Sequence, residues 1–492
     1  MLTATIDDEP GQEMTKHESL NITQRFIRVA DVLRRRPPSE VLLNRSHERY
    51  RLAALNGISG LLCRMTSFIA SVLTVSLTFR YLGAERYGMW MTITSIVAML
   101  GFADLGMSNG LINLIAEALG KESIDEARKA ASSAFWILCV TASIMLVIGV
   151  VSYPYLNAAA IFNVSSSKAR GEAGPALAVF ALCFISQIPL GAVRGVQSGL
   201  QKGFANNLWA SAGAAGSLIG MLIAIHFEMG LPFLILSVSG PPILAMLLNG
   251  VELFGFSHPE LRPDPKHFSS QVASNVLHTG FMYLILQLSI TIGVQTDNVV
   301  IAQILGSKAV ADYAVPARMF NLVTSFLVML SGVMLPAYAD AFARNDGLWI
   351  RRTFLRISVI GTVVACASAL FLVIWGNRIL KIWVGPQIQA STVLLLTFAS
   401  LSVVYAYLQP INFMLSGIRR FKVAVICAIL NAVVNLGLSI FFVKRLGIIG
   451  AVLGTLVSYV LIQVIPLTFE TWRVLKGLAS KQLSELAPVI FE

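Results

Sequence analysis

Charged residues are scarce in this chain of 492 residues. They make up 13% of the sequence, against about 25% in soluble domains, while hydrophobic residues make up 56% and the mean hydropathy is +0.73. This scarcity excludes an ordinary soluble domain. The sequence therefore predicts an all-α polytopic membrane protein.

Motifs for catalysis are missing as well. No Gly-rich phosphate loop with Lys and Ser or Thr is present, which excludes ATP hydrolysis by this chain. The five cysteines lie inside apolar runs without His partners at metal spacing, so we expect them to pack in the core. We expect no catalytic residue, no metal and no cofactor. A membrane-embedded polymerase or glycosyltransferase is consequently the weakest hypothesis.

The net charge of +11 does not indicate nucleic acid as a partner, because Lys and Arg lie mostly in short connections between apolar runs. The first roughly 50 residues are polar and basic, unlike a cleavable signal peptide. Within Leu20 to Arg36, apolar residues recur at helical spacing beside several arginines. This pattern predicts either an amphipathic helix on the membrane surface or a disordered basic tail that only sets orientation.

Twelve segments are long enough to cross about 30 Å of hydrocarbon. We predict spans at 54–79, 89–116, 131–153, 176–199, 205–227, 231–251, 270–295, 312–341, 356–376, 390–416, 422–443 and 447–470. The seventh span could continue to Leu305 as one long bent helix.

These spans divide the chain into two lobes of six helices each. We place the boundaries at 1–53 (a cytoplasmic basic tail), 54–255 (first lobe), 256–269 (a cytoplasmic linker), 270–472 (second lobe) and 473–492 (a cytoplasmic tail).

Two sequence patterns recur in both lobes. Leu82-Gly83 precedes Tyr87, as Leu305-Gly306 precedes Tyr313, and in each lobe a glycine stands 19 residues after that tyrosine. Likewise, Phe204 and Gly230 are 26 positions apart, as are Phe421 and Gly447. An offset of six spans gives both lobes the same orientation, so we expect a parallel repeat with a substrate cavity between the lobes.

Three arginines interrupt the apolar spans: Arg64 in span 1, Arg194 in span 4 and Arg318 in span 8. A charge at the centre of a membrane helix costs at least about 2.5 kcal/mol and normally faces a cavity or a partner. Arginine pairs well with phosphate oxygens, so the three could form a cationic pocket. For Arg64 and Arg318 the alternative is a structural ion pair with an aspartate. For Arg194 it is snorkelling to the cytoplasmic surface.

Two carboxylates also lie in apolar spans, Asp104 near the middle of span 2 and Asp297 near the outer end of span 7. Either could bind H+ or Na+ and couple transport to an ion gradient. The alternative for both is an ion pair with an arginine.

Amides and glycines account for the remaining candidate positions. Gln409, Asn412, Asn431 and Asn435 could contact sugar hydroxyls, although hydrogen bonds between helices are the commoner use of such residues. Gly213, Gly216 and Gly220 form one small-residue face in span 5, which we expect to pack closely on another helix.

Several short segments carry a family resemblance: RYLGAERYGMW at 80–90, FADLGMSNG at 102–110 and TDNVVIAQILG at 296–306. Together they resemble the Wzx-type polysaccharide flippases of the multidrug/oligosaccharidyl-lipid/polysaccharide exporter superfamily, over roughly residues 54–470. The resemblance implies a two-lobed bundle in the bacterial inner membrane. By alternating access, it would move undecaprenyl-diphosphate-linked oligosaccharide across that membrane, beside a polymerase and other polysaccharide-assembly proteins.

A cation-coupled multidrug exporter of the same superfamily is the main alternative. Its usual cargo is cationic and amphipathic, and a pocket that holds Arg64 and Arg318 would repel such cargo and attract a diphosphate. Electrostatics therefore favours the lipid-linked glycan.

The distribution of Lys and Arg predicts that both termini are cytoplasmic, since 25 of these residues fall on the N-terminal side of the map and 9 on the other. Single cysteines placed beside Lys168, Lys308 and Arg378 should react with a membrane-impermeant maleimide in intact cells. Cysteines beside Arg262 and Arg351 should react only after permeabilisation. Labelling of either of the last two in intact cells would overturn the orientation.

Overall fold

The structure is a computed structural model that describes residues 45–99, 107–274, 295–332, 334–344, 346–418, 420 and 422–490. Its regular elements over those ranges are helices, without a strand, which confirms the all-α prediction. Asp104, the tail segment Leu20 to Arg36 and most of predicted span 7 lie outside the described residues.

The described part of the first half, 45–99 and 107–255, contains eight α-helices. They are α1 (Arg45–Met99), α2 (Met107–Gly120), α3 (Ile124–Ser152), α4 (Ala158–Ile161), α5 (Ser167–Gln187), α6 (Gly191–Gly199), α7 (Gly203–His226) and α8 (Leu231–Glu252). α1 begins before the predicted boundary at residue 54. A single non-helical residue, Gly83, interrupts it where a longer connection was predicted between spans 1 and 2.

In the second half, the described residues 270–274 and 295–305 are helical. This half continues with α9 (Ser307–Gly332), α10 (Leu335–Ala343), α11 (Gly347–Trp383), α12 (Thr392–Gly417), α13 (Lys422–Leu446), α14 (Ile448–Ser458) and α15 (Ile465–Ile490). A π-helical turn, Tyr459–Val464, joins the last two.

Nine helices in the described ranges are long and apolar enough to cross a membrane, so the chain is a multi-pass membrane protein. Eight of them match predicted spans 3 to 6 and 9 to 12, and the ninth, Leu55–Met99, contains span 1 and the beginning of span 2. Span 8 corresponds to α9 and α10. The count of twelve remains a prediction.

Polar caps start several of these helices where an apolar run follows a connection. The side chains of Ser123, Ser166 and Ser391 accept a hydrogen bond from the backbone N–H three residues later, at the starts of α3, α5 and α12. Asp346 does the same for α11. Each cap satisfies one of the N–H groups that a helix start leaves without a partner.

Two glycines that the sequence repeat equates share an unusual backbone conformation. Gly83 has φ of 74° and Gly306 has φ of 89°, a region that residues with a Cβ rarely adopt. Each follows a leucine and ends a helical segment directly before the repeated tyrosine region.

The small-residue face predicted in span 5 packs on α8, as expected. A Cβ on Gly213 would lie 2.8 Å from the Cα of Pro242, and a Cβ on Gly220 would lie 2.8 Å from the carbonyl oxygen of Ser237. Such distances leave room only for glycine, so α7 and α8 approach backbone to backbone.

Hydrogen bonds to backbone carbonyls join the two halves at one end of the bundle, which we call the interhalf junction. Arg80 Nη2 donates to the carbonyl oxygen of Ile382 at 2.8 Å. Trp383 Nε1 donates to the carbonyl oxygen of Val72 at 2.8 Å, and the Ser76 hydroxyl donates to the carbonyl of Trp383. These bonds fix α1 to the C-terminal end of α11.

The interhalf junction continues at the start of α9. Ser307 donates its hydroxyl to the carbonyl of Phe162, and Gln303 donates its amide to the carbonyl of Ile161. A Cβ on Gly88 would collide with the carbonyl oxygen of Ser307. The backbones of α1 and α9 therefore touch at Gly88.

A chain of polar side chains ties the connection after α6 to the segment after α8. Lys202 Nζ lies 2.6 Å from His258 Nε2, and His258 Nδ1 lies 2.7 Å from Glu260 Oε1. Desolvation raises the pKa of Glu260. The hydrogen bond from His258, a backbone hydrogen bond and the nearby charges of His258 and Lys202 together lower it by more, so the pKa of this carboxyl is lowered. The three groups hold the predicted linker against the end of the first half.

We predict that Gly88→Ala lowers the stability of the folded protein, because the added methyl group must push Ser307 away. Overpacking of this kind typically costs about 1–3 kcal/mol. Thermal unfolding of the purified protein in nanodiscs should show a lower midpoint. Gly57→Ala is the matched control, since a Cβ there meets nothing within 4 Å in the same helix. Equal midpoints for the two variants would contradict the close contact.

Candidate functional site

A cavity of about 420 Å³ lies beside α1, and we call it the Arg318 cavity. Its polar lining consists mainly of hydroxyl side chains, together with Tyr87, Trp90 and Arg318. The hydroxyls belong to Ser67, Ser71, Thr74, Thr78, Thr94, Ser217 and Ser239. Arg318 is the one lining residue from the second half among those described. The cavity is thus built by the first half and completed by one cation from the second.

Arg318 donates hydrogen bonds to a neutral acceptor. Its Nε and Nη2 atoms lie 3.2 Å and 3.0 Å from the Ser71 hydroxyl oxygen. In the described part of the chain this guanidinium makes no ion pair, so the proposed pairing with Asp297 is not formed in this conformation. Its positive charge faces the cavity without compensation by a carboxylate.

Arg64 lies on the same face of α1 as Ser67 and Ser71, because residues three and seven positions apart align along a helix. It is exposed and makes no hydrogen bond or ion pair with the described residues. One turn earlier on this face, Gly60 approaches the Asn207 amide nitrogen, 3.6 Å from an added Cβ. Arg64 therefore stands on the helix face that runs from Asn207 to the Arg318 cavity.

A second cavity, of about 300 Å³, surrounds Arg194, and we call it the Arg194 cavity. Its polar lining includes Arg194 itself and the amides of Gln187, Asn206 and Asn207, with the Trp209 indole beside them. Ala210 and Pro242 line both cavities, so the two adjoin. Arg194 and Arg318 thus line two adjoining cavities, and their joint role as a cationic pocket stays a prediction.

Buried amides support the wall of the Arg194 cavity. The Asn249 amide nitrogen donates to the side-chain oxygens of Gln197 at 3.0 Å and Asn206 at 3.2 Å, and the Gln197 amide donates back to Asn249 at 2.6 Å. Asn249 and Gln197 are almost inaccessible to solvent. Because polar groups in an apolar bundle are costly unless they are hydrogen-bonded, this network fixes the orientation of Asn206.

Asp297 lies in a separate cluster within the second half. It is 3% exposed and accepts hydrogen bonds from the hydroxyls of Tyr313 at 2.9 Å, Ser439 at 2.9 Å and Thr455 at 2.8 Å. Ser439 and Thr455 also lie 3.0 Å and 3.1 Å from the Asn435 side-chain oxygen. Four side-chain oxygens, from Tyr313, Ser439, Thr455 and Asn435, therefore converge around a buried carboxylate that has no cationic side chain beside it in the described ranges. We call this group the Asp297 cluster.

The four amides predicted as glycan contacts line neither cavity. Asn435 belongs to the Asp297 cluster and Asn431 is 2% exposed, while Gln409 and Asn412 on α12 are half-buried. For Asn435, the structure matches the alternative of hydrogen bonding between helices. Contact of these residues with sugar stays a prediction for another conformation.

Sequence reasoning missed the residues that complete these sites. Ser71, Ser439 and Thr455 carry no charge, and single hydroxyls are common in membrane helices, so no pattern distinguished them. The doublet Asn206-Asn207 near the beginning of span 5 was the available signal for the Arg194 cavity.

A family model described as "Polysaccharide biosynthesis protein" matches residues 54–342. Among curated proteins, the "Putative O-antigen transporter" of Salmonella typhimurium is 22% identical over 402 residues, which cover 79% of this chain and 89% of that protein.

Two solved structures show the same fold. One is an inward-facing multidrug resistance MATE family transporter of the MOP superfamily, with a TM-score of 0.71 at 15% identity, covering 84% of this chain and 95% of that one. The other is the lipid II flippase MurJ in an inward closed conformation, with a TM-score of 0.67 at 17% identity, covering 89% and 92%.

Proposed function

Because the chain belongs to the polysaccharide biosynthesis protein family, we propose that it is a flippase for undecaprenyl-diphosphate-linked oligosaccharide in the bacterial inner membrane. The observation that carries this proposal is the Arg318 cavity, where a guanidinium that makes no ion pair with the described residues lies among seven hydroxyl side chains. The comparison with named transporters confirms the expectation that the chain is a transporter and not an enzyme.

The hydrogen bond between Arg318 and Ser71 is well suited to exchange. A guanidinium binds an anionic oxygen more strongly than a neutral hydroxyl, because opposite charges attract. A phosphate that enters the cavity can therefore replace Ser71 as the acceptor with a gain in energy. Ser71 accepts from Arg318 and keeps its own O–H to donate, so it can bind the same headgroup. Arg64, on the same face of α1, adds a second cation on the route into the cavity.

The position of the interhalf junction supports a mechanism of alternating access. In the predicted orientation the interhalf junction lies at the outer end of the bundle, because Arg80 and Trp383 belong to connections assigned to that side. A conformation closed there is suited to receive cargo from the cytoplasm. Release outside would require the bonds of the interhalf junction to break and the opposite ends of the lobes to approach.

The Asp297 cluster is the proposed coupling site for H+ or Na+. Its carboxylate, hydroxyl and amide oxygens are ligands that hard cations prefer, and a proton could neutralise the same carboxylate. Asn298, the next residue, donates to Ser95 of the first half at 2.9 Å. A change of charge at Asp297 would therefore alter the electrostatic potential directly beside a hydrogen bond between the halves.

α9 links this cluster to the cargo cavity. Tyr313 bonds Asp297, and Arg318 lies five residues later, about 7.5 Å along the helix axis. Pro316 stands between them and removes one backbone hydrogen bond, which makes a local bend easier. Occupancy at Asp297 could thus tilt the segment that carries Arg318.

Deletion of the gene, with no redundant flippase present, should strand undecaprenyl-diphosphate oligosaccharide on the cytoplasmic leaflet. Complementation with Arg64→Ala, Arg318→Ala should fail although the protein inserts, because both cations facing the headgroup are gone. The corresponding Lys variants should restore part of the transport, since they keep the charge without the bidentate fork. Accessibility of the intermediates to an external glycosidase, with surface protein measured by immunoblot, provides the readout.

The control is Arg352→Gln, which removes a charge from an exposed position on α11 outside both cavities. Normal translocation by the Arg64→Ala, Arg318→Ala double variant would remove the cationic pocket. If intermediates still reach the outer leaflet in the deletion strain while the cells become sensitive to cationic drugs, the multidrug exporter is the correct function.

For coupling, we predict that Asp297→Asn lowers the response of transport to imposed proton or sodium gradients while the protein stays folded. The amide occupies the same volume and can still accept from Tyr313 and Thr455, but it cannot change charge. Appearance of the lipid-linked oligosaccharide on the outer leaflet of right-side-out vesicles, with each gradient imposed separately, identifies the ion. An unchanged response to both gradients would leave Asp297 with a structural role.

A further inference from the structure

We propose that the Arg194 cavity is the glycan subsite and that it selects a sugar unit bearing a carboxylate. This inference rests on the proposed function, because it assigns one part of the same cargo to the compartment beside the Arg318 cavity. It differs from the sequence-based expectation, which placed Arg194 with the diphosphate and the sugar contacts on α12 and α13.

The lining of the Arg194 cavity fits a sugar better than a lipid tail or a diphosphate. The Gln187 amide offers both a donor and an acceptor, which sugar hydroxyls need in alternation, and Asn207 keeps one N–H and its oxygen beside the bond to Ser59. A diphosphate has only acceptor oxygens, so these amide oxygens would be left against like charge. An acyl chain would leave the Gln187 amide without a partner.

Trp209 supplies an apolar surface for the sugar ring. Its Nε1 donates to Glu252 Oε2 at 2.8 Å, which fixes the indole and uses its single donor. The aromatic ring is therefore the part of Trp209 that a ligand can contact. Small-molecule sites typically combine such an aromatic wall with a small number of precisely placed polar groups. Glu252 does not line the cavity in the described ranges, so its carboxylate makes no direct contact with an anion bound there.

Arg194 gives the cavity its charge preference. Its side chain is exposed to the cavity and makes no hydrogen bond or ion pair with the described residues, and no acidic side chain lines the cavity with it. Only its backbone carbonyl is engaged, by the Asn206 amide at 3.2 Å. A planar guanidinium with no internal partner binds a carboxylate in a bidentate manner.

The wall is also held in place before any ligand arrives. The buried Gln197–Asn249 pair orients Asn206, and the Asn207 amide donates to the Ser59 hydroxyl at 3.0 Å. A preorganised site loses less side-chain entropy on binding than a mobile one. The shared wall at Ala210 and Pro242 places such a sugar next to a diphosphate held at Arg318.

The test uses the full-length protein in nanodiscs and three probes: undecaprenyl diphosphate, the same lipid bearing N-acetylglucosamine, and the same lipid bearing glucuronic acid. We expect Arg194→Gln to weaken binding of the glucuronate probe about tenfold, as loss of a charge-assisted hydrogen bond implies, and to leave the other two within about twofold. Gln187→Ala should weaken both sugar-bearing probes and leave undecaprenyl diphosphate unchanged. Arg318→Gln should weaken all three, and Arg352→Gln none.

Each other outcome has a defined meaning. Equal weakening of all three probes by Arg194→Gln would overturn the proposal, because Arg194 would then bind the diphosphate. Unchanged affinity of Arg194→Gln for the glucuronate probe would overturn it too, since snorkelling would explain that residue. If the wild-type protein binds none of the probes, the flippase function itself fails, and the glycan subsite fails with it.

Discussion

The backbone contact between Gly88 of α1 and Ser307 of α9 sets how the two halves of this chain meet. From that contact, α9 runs along α1 and brings Arg318 to Ser71, where the second half completes a cavity that the first half builds. Neither the position of Arg318 nor the shape of its cavity would survive a shift at the glycine. The interhalf junction therefore determines the site geometry, because Tyr87 and Trp90, on either side of Gly88 in the chain, line the Arg318 cavity.

Neither Asp297 nor Arg318 has an oppositely charged side chain as a partner among the described residues, whereas Arg86 and Glu172 form an ion pair at 2.6 Å in the same bundle. Asp297 is satisfied by three hydroxyls and Arg318 by a fourth, all neutral. A buried ion pair would fix both groups and leave neither available. Hydroxyl partners hold each charged side chain in place and leave its charge uncompensated, so each can respond to a mobile ligand of opposite sign.

The sequence predicted the helical class and most of the described spans, because apolar length is a property of a single segment. It also identified three arginines inside apolar spans, and their role in binding stays a prediction. It did not predict that Arg194 and Arg318 occupy two compartments, since that division depends on Ala210 and Pro242, which look like ordinary packing residues. Nor did it predict the partners of Asp297. Ser439 and Thr455 lie more than 140 residues away in the chain, and only packing of α13 and α14 brings them to the carboxylate.

The seven hydroxyl residues of the Arg318 cavity resemble the water molecules that surround a hydrated headgroup. A phosphate in water is surrounded by small, rotating dipoles, and a serine or threonine hydroxyl resembles one of them in size and in its single donated hydrogen. In the proposed function, such groups would let the headgroup exchange its water molecules one at a time, so that no step requires complete dehydration. The cavity would then act as a replacement hydration shell built from side chains.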